Sequence, residues 1–159
     1  MARPAAIEAK SAAPSAARPF LKWAGGKQQL LPALLEAMPT TFNRYFEPFL
    51  GGGALFFALA GERAPLRAVL GDANGDLIAT YEVVRDHLDA LCAHLARLEA
   101  EYRAEDADGR AAAYYRIRES RPTSKLGLAA RFIFLNKTCY NGLYRVNSRG
   151  RFNVPHGRY

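Results

Sequence analysis

The sequence predicts an α/β protein of the doubly wound kind, and three observations predict it. A short aromatic strand in "NRYFEPFLGGG" runs into a glycine turn, "ALFFALA" behind it reads as a buried helix, and the apolar stretch "LRAVLGD" ends in Asp72. Strand, glycine turn, helix and strand ending in an acid is the opening βαβ unit of such a sheet. With 159 residues, 50% of them hydrophobic, the chain can bury one ordinary core rather than two.

Taken in order, residues 1–18 are rich in Ala, Pro and Ser without apolar periodicity, and read as a mobile tail. They lack the continuous apolar stretch of a secretory signal; a transit peptide is the alternative that their basic composition leaves. "KQQLLPALLEAM" sets Leu30, Leu31, Leu34 and Leu35 at helical spacing and ends before Pro39. After the βαβ unit, the segment from Asp76 to Arg103 reads as one long helix, with Leu77, Tyr81, Val84, Leu88, Leu91 and Leu95 along one stripe. An Asp/Gly patch from Asp106 to Gly109 breaks it, and "RAAAYYRIRES" is helical again. "KLGLAARFIFLNKTCYNGLY" starts as a helix and loses its period near Asn136. Turn signals at Asn141-Gly142 and Arg149-Gly150 then flank short β-prone pieces, which predicts a hairpin-like region.

Charge is distributed in blocks. Residues 1–119 hold fourteen Lys/Arg and all fifteen acids, a net of −1, whereas residues 120–159 hold eight Lys/Arg and no acid, a net of +8. An acid-free basic block suits a polyanion, and the aromatics within it (Phe132, Phe134, Tyr140, Tyr144, Phe152, Tyr159) suit stacking on bases. No apolar run has membrane-spanning length. Two cysteines, Cys92 and Cys139, form no disulfide framework and point to a reducing, cytoplasmic setting. His87, His94 and His156 are not at metal-ligand spacing, so no metal is expected.

"EPFLGGGALF" is the first candidate site. Glycines between a strand and a helix let a ligand approach the backbone, and the helix start offers free N–H groups. Asp72, about twenty residues on, stands where such folds hold ribose hydroxyls; a plain turn beside a surface aspartate is the alternative. The dinucleotide pattern G-x-G-x-x-G fails after Gly53. "WAGGKQ" lacks the first glycine of a Walker loop and has Gln28 in place of its hydroxyl residue. An adenosyl ligand with a carboxylate and no phosphates, S-adenosylmethionine, fits what remains.

Four ordered blocks, "FLKWAGGK", "YFEPFLGGGALFFAL", "LGDANGDLIATY" and "FLNKTCYNGLYRVNSRGRFNVPHGRY", closely resemble the Dam-like (D12 class) DNA adenine-N6 methyltransferases, from about Pro19 to Tyr159. The resemblance implies a Rossmann-like S-adenosylmethionine-dependent methyltransferase fold with an incomplete sheet. It divides the chain into the tail 1–18, the N-terminal part of the cofactor-binding domain over 19–85, and a helical and basic β-hairpin target-recognition insert over 86–159. It places Trp23, Ala24, Gly25, Gly26, Lys27, Glu47, Pro48, Phe49, Gly51, Gly53 and Asp72 at the cofactor. Lys137, Tyr140, Asn141, Leu143, Arg145, Asn153, Pro155 and Arg158 fall at double-stranded DNA. In that reading Tyr140 wedges into the duplex, Arg145 reads a guanine edge, and arginines such as Arg149 and Arg151 hold phosphates.

The family also uses an Asp/Asn-Pro-Pro-Tyr/Phe tetrapeptide to orient the adenine amino group, and none occurs in the 159 residues. The chain therefore reads as the N-terminal part of a site-specific adenine methyltransferase, inactive by itself and prone to aggregate through an unpaired strand edge. A non-catalytic DNA-binding remnant is the second reading, and a nicotinamide or flavin oxidoreductase the third. The expected partners are DNA and, in a restriction-modification setting, a cognate endonuclease. The full-length protein is expected to be a monomer in the cytoplasm, associated with the nucleoid, with neither membrane nor metal.

Overall fold

The computed structural model describes residues 17–62 and 66–157. The expectation of a mobile tail thus falls, apart from residues 17 and 18, outside the described residues, as do Arg158 and Tyr159. Proline decides where the first helix begins. Pro32 has no N–H to give and a φ already suited to a first turn, so helix α1 occupies Leu31–Ala37, entered through a 3₁₀ turn over Lys27–Leu30. Leu30 is left exposed while Leu31, Leu34 and Leu35 turn inward.

Strand β1 (Tyr45–Glu47) and strand β2 (Ala68–Leu70) pair in parallel, with Tyr45 opposite Ala68 and Glu47 opposite Leu70. Helix α2 (Ala54–Glu62) crosses between them, giving the βαβ unit that the sequence predicts. The strand alternation sends Tyr45 and Glu47 inward and Phe46 outward. Tyr45 joins Leu55 and Leu59 of α2 in a core that α1 closes with Leu31, Leu34 and Leu35. On the other face Phe46 stands opposite Val69, both more than half exposed.

The long helix expected after Asp76 is two. Helix α3 (Gly75–Asp86) and helix α4 (Leu88–Ala104) are separated by His87, whose φ of −140° and ψ of 37° are not helical. The break rotates Leu88 out of the stripe to 51% exposure, while Leu77 and Leu91 stay buried on either side. Periodicity survived the break in the sequence because both helices bury against the same neighbour, helix α6 (Lys125–Thr138). Helix α5 (Ala107–Glu119) lies between α4 and α6 in the chain. Its start and that of α6 are capped by Asp106 accepting from Gly109 N–H and Ser124 from Gly127 N–H. Helix α6 runs two residues beyond Asn136 before its period is lost.

One buried cluster spans the molecule from Leu21 through Leu77 and Val83 to Leu91, Ala129, Ala130, Phe132 and Ile133. Its members come from both sides of the 85/86 boundary drawn on the sequence. A second cluster, Tyr114, Phe134, Leu135, Cys139 and Val154, fastens the end of the chain. There the antiparallel bridges Cys139–His156 and Val146–Phe152 make the hairpin-like region. Tyr114 Oη donates to Val154 O at 2.8 Å, and Tyr102 Oη lies 2.7 Å from His156 Nε2.

Burial lowers the His156 imidazole below its ordinary value of 6.5. The unfolded chain therefore takes up this proton at higher pH than the folded one, so stability from His156 is present above about 6.5 and is lost as pH falls through the lower folded value. The difference in Tm between wild type and His156→Asn should shrink from pH 7.5 to pH 4.5. A difference that stays constant across that range removes His156 as a titrating contributor.

Candidate functional site

Two parallel neighbouring strands end at the same edge of the sheet, and ligands of open α/β sheets bind outside that edge. Here β1 delivers Phe49 to Gly52 and β2 delivers Asp72 to one cleft of about 700 Å³. The segment from Arg18 to Gln28 forms the opposite wall, and Ala54 brings the start of α2 to it. The volume lies within the range of small-molecule sites.

Asp72 organises the floor. Its Oδ2 accepts from Gly51 N–H and its Oδ1 from Asn74 N–H, each at 2.9 Å, which ties the glycine turn of one strand to the end of the other. Each oxygen keeps a second lone pair for a ligand hydroxyl. The cap of helix α3 is Asn74, whose side chain accepts from Leu77 N–H at 3.1 Å, so Asp72 is not spent on capping. Gly51 has φ +53°, and a Cβ there would lie 2.9 Å from Cδ1 of Trp23, so the indole packs directly on the turn. The other neighbours of Trp23 are Tyr144 and Phe132, stacked at centroid distances of 5.6 and 6.3 Å.

Beneath the cleft, Glu47 is 4% exposed. Lys27 Nζ donates to Glu47 Oε1 at 2.9 Å and to the Phe49 carbonyl, while Tyr45 Oη donates to Glu47 Oε2 at 2.8 Å. Burial, then the hydrogen bond and charge of Glu47, push the Tyr45 phenol well up. An ammonium has three donors, and two of those on Lys27 are used within the protein, so one remains for a ligand.

Of the residues expected at the cofactor, Trp23, Ala24, Gly25, Gly26, Lys27, Phe49, Gly51 and Asp72 line the cleft. Glu47 sits behind Lys27, and Pro48 is exposed outside the lining. Gly53 faces elsewhere. With φ +72°, it leaves room for Tyr81, whose hydroxyl would lie 2.8 Å from a Cβ at that position. That hydroxyl is buried and has no hydrogen-bond partner among the described residues. Lys22, Leu50 and Gly52 also line the cleft without having been singled out in the sequence. The signal for Lys22 and Gly52 was only their adjacency to Trp23 and Gly51.

The basic block forms a second surface beside the cleft. Tyr140 and Leu143 are exposed, and Asn141 adopts φ 54° in the turn between them. Tyr140 N–H donates to Pro155 O at 2.9 Å, and Arg145 Nε donates to Asn153 Oδ1 at 2.8 Å, so the two expected DNA-facing segments are bound to each other. Lys137 is on the rim of the cleft as well as at the start of this surface. Not every cation is available: Arg131 is half-buried, donating to the Ile117 and Arg118 carbonyls, and burial lowers its guanidinium pKa. Among the described residues, no group of three or more His, Cys, Asp or Glu side chains is placed to hold a metal ion, and no helix is long and apolar enough to cross a membrane.

Residues 23–159 match the family model of the D12 class N6 adenine-specific DNA methyltransferases. The chain is 43% identical over 152 residues to the type II methyltransferase M.MjaIII of Methanocaldococcus jannaschii, an alignment covering 89% of this chain and 53% of that protein. It is 43% identical over 150 residues to the type II methyltransferase M1.LlaDCHI of Lactococcus lactis subsp. cremoris, covering 89% and 48%. With the DNA adenine methylase of Haemophilus influenzae the identity is 36% over 143 residues, again covering 89% and 48%. The chain spans about half the length of the curated relatives it matches.

Proposed function

The chain belongs to the D12 class N6 adenine-specific DNA methyltransferases, and on that premise we propose that its cleft binds S-adenosylmethionine and its basic surface binds double-stranded DNA. The observation that carries this reading is the cleft at the carboxyl edge of β1 and β2, with its glycine turn, its one lining acid, Asp72, and the remaining N–H of Lys27. A nucleoside would lie along the Leu50–Gly52 turn on the side that the Trp23 indole leaves open to the cleft. Asp72 accepts from ribose hydroxyls, and Lys27 meets the carboxylate of the methionyl part with its third N–H. Trp23 closes the side. The sheet in this reading is the start of a Rossmann-like methyltransferase domain.

When bound, the cofactor supplies a methyl group on a sulfonium for direct transfer to the adenine N6 nitrogen. The residues of this chain hold the cofactor and position the duplex: Tyr140 as the wedge, Arg145 and Asn153 at base edges, Lys137, Arg149 and Arg151 at phosphates. No Asp/Asn-Pro-Pro-Tyr/Phe tetrapeptide occurs in residues 1–159, so the 159-residue chain by itself binds both ligands and transfers no methyl group. Incorporation of labelled methyl into duplex DNA by the purified 159-residue chain would contradict the second part of that statement. A cognate restriction endonuclease, a cytoplasmic location and a monomeric full-length state are parts of the same proposal.

Binding is tested by calorimetry with S-adenosylmethionine and by anisotropy with a labelled duplex. Lys125 is paired with Glu82, Arg131 is tied to carbonyls, Arg145 to Asn153 and Arg121 to the Ser120 carbonyl, which leaves, among the described cations of the block, Lys137, Arg149 and Arg151 exposed for phosphates. With three to four phosphates neutralised, log Kobs should fall against log salt with a slope of about −3. A slope near zero removes DNA from the reading, and a cofactor Kd above the millimolar range removes S-adenosylmethionine.

A further inference from the structure

Asn136 lies in the last turn of α6, 4% exposed, and its side-chain amide is fully engaged by main chain from two distant places. Its Oδ1 accepts from Lys22 N–H at 2.9 Å, and its Nδ2 donates to Lys22 O at 2.8 Å and to Gly142 O at 3.1 Å. Only one orientation of the amide satisfies one N–H and two carbonyls, so the amide specifies the arrangement as well as joining it.

The two segments it joins belong to different surfaces. Lys22 lies in the cleft wall and precedes Trp23, whose indole packs on the Gly51 turn. Gly142 closes the Tyr140–Leu143 turn that faces DNA in the proposed reading. The two also meet directly: Gly142 has φ +65°, and a Cβ there would lie 2.6 Å from the Cβ of Lys22. Trp23 repeats the junction one residue on, touching the cleft turn with one edge and stacking on Tyr144 of the basic block with its ring. A shift of the Lys22-Trp23 backbone on filling the cleft therefore moves the acceptor and donor on which the Tyr140–Leu143 turn is registered.

We propose that Asn136 is a positioning residue that couples the cofactor cleft to the DNA-facing turn, so that a ligand in the cleft tightens duplex binding and a duplex tightens ligand binding by the same factor. This rests on the reading of the two surfaces given above. Asn136→Asp keeps the acceptor for Lys22 N–H and turns both donors into a carboxylate facing two carbonyls. Gly142→Ala strains the same junction from the other side.

The test measures duplex Kd by anisotropy for the 159-residue chain, without and with saturating S-adenosylhomocysteine, alongside the Kd of S-adenosylhomocysteine itself and a thermal melt of each variant. Wild type is expected to bind duplex about fivefold or more tightly when the cleft is filled. In Asn136→Asp and in Gly142→Ala that ratio should fall below about twofold, although each still binds both ligands separately. A clamp with only a structural role would weaken both affinities and leave their ratio intact, and that result overturns the proposal. So does a wild type that binds both ligands with a ratio of one. Should Asn136→Asp fail to fold, Gly142→Ala decides. A wild type that binds neither ligand overturns the functional reading itself, and the coupling falls with it.

Discussion

Lys27→Met should destabilise the chain by about 2–3 kcal/mol, lowering Tm by about 5–10 °C, and Glu47→Gln should cost distinctly less. The asymmetry follows from burial. Side-chain exposure is 32% for Lys27 and 4% for Glu47. Removing the lysine leaves a buried carboxylate with the Tyr45 hydroxyl as its one remaining partner, whereas removing the carboxylate leaves an ammonium that water can reach. Breaking a fully buried pair costs about 3–5 kcal/mol, and the exposure of Lys27 reduces that figure. The double variant Lys27→Met/Glu47→Gln should recover at least 1 kcal/mol relative to additivity, since the two residues are in contact. Urea unfolding of the four proteins closes the cycle. Equal costs for the two single variants, or a larger one for Glu47→Gln, would mean that the pair is not held as buried charge beside solvated charge.

Lys27 also marks where sequence reasoning stops. A glycine pair followed by a lysine suggests an anion site, and the cleft does bring Gly25, Gly26 and Lys27 together. What the sequence does not contain is the resident partner, Glu47, twenty residues away on a strand. The βαβ unit was legible because its signals are local: an aromatic strand, the glycines after β1 and an acid after β2; the facing of β1 was not, since charged Glu47 is buried and Phe46 exposed. The break at His87 was not, because both α3 and α4 bury against α6 and the apolar stripe continues through the non-helical residue. Asn136 was legible only as the place where a helical period ends. Its pairing with Lys22, 114 residues earlier, leaves no periodicity for a sequence to reveal.

The basic block illustrates the same limit for charge. Eight cations without an acid within residues 120–159 point to a polyanion. The fold then sorts them. Arg131 stabilises the end of α5 through two carbonyls, Lys125 bridges to Glu82, and Arg145 is oriented by Asn153 in advance of any base. An arginine held in one orientation loses less freedom on binding, which favours reading a base edge over general attraction. Composition suggests only the sign of a partner's charge; packing separates positioning cations from structural ones.

Asp72→Ala should lower affinity for S-adenosylmethionine by about 100-fold while leaving duplex affinity, measured without cofactor, within about twofold of wild type. Two losses combine. The glycine turn loses the charge-assisted acceptor at Gly51 N–H, a contact worth about 1.5–3 kcal/mol when one partner is ionised, and the proposed ribose loses its acceptor at the same atom pair. The variant also removes a negative charge, which by itself favours DNA and has to be separated from the local effect. Asp89→Ala makes the same charge change at an exposed position in the first turn of α4, away from the cleft lining. Any gain in duplex affinity shared by the two variants is electrostatic, and the loss of cofactor affinity should belong to Asp72→Ala alone. Were Asp72→Ala to bind S-adenosylmethionine as wild type does, the carboxylate would be a fastener of the turn and no part of a ligand site. A loss shared with Asp89→Ala would place the effect in the overall field of the protein, and the cleft would no longer be needed to explain it.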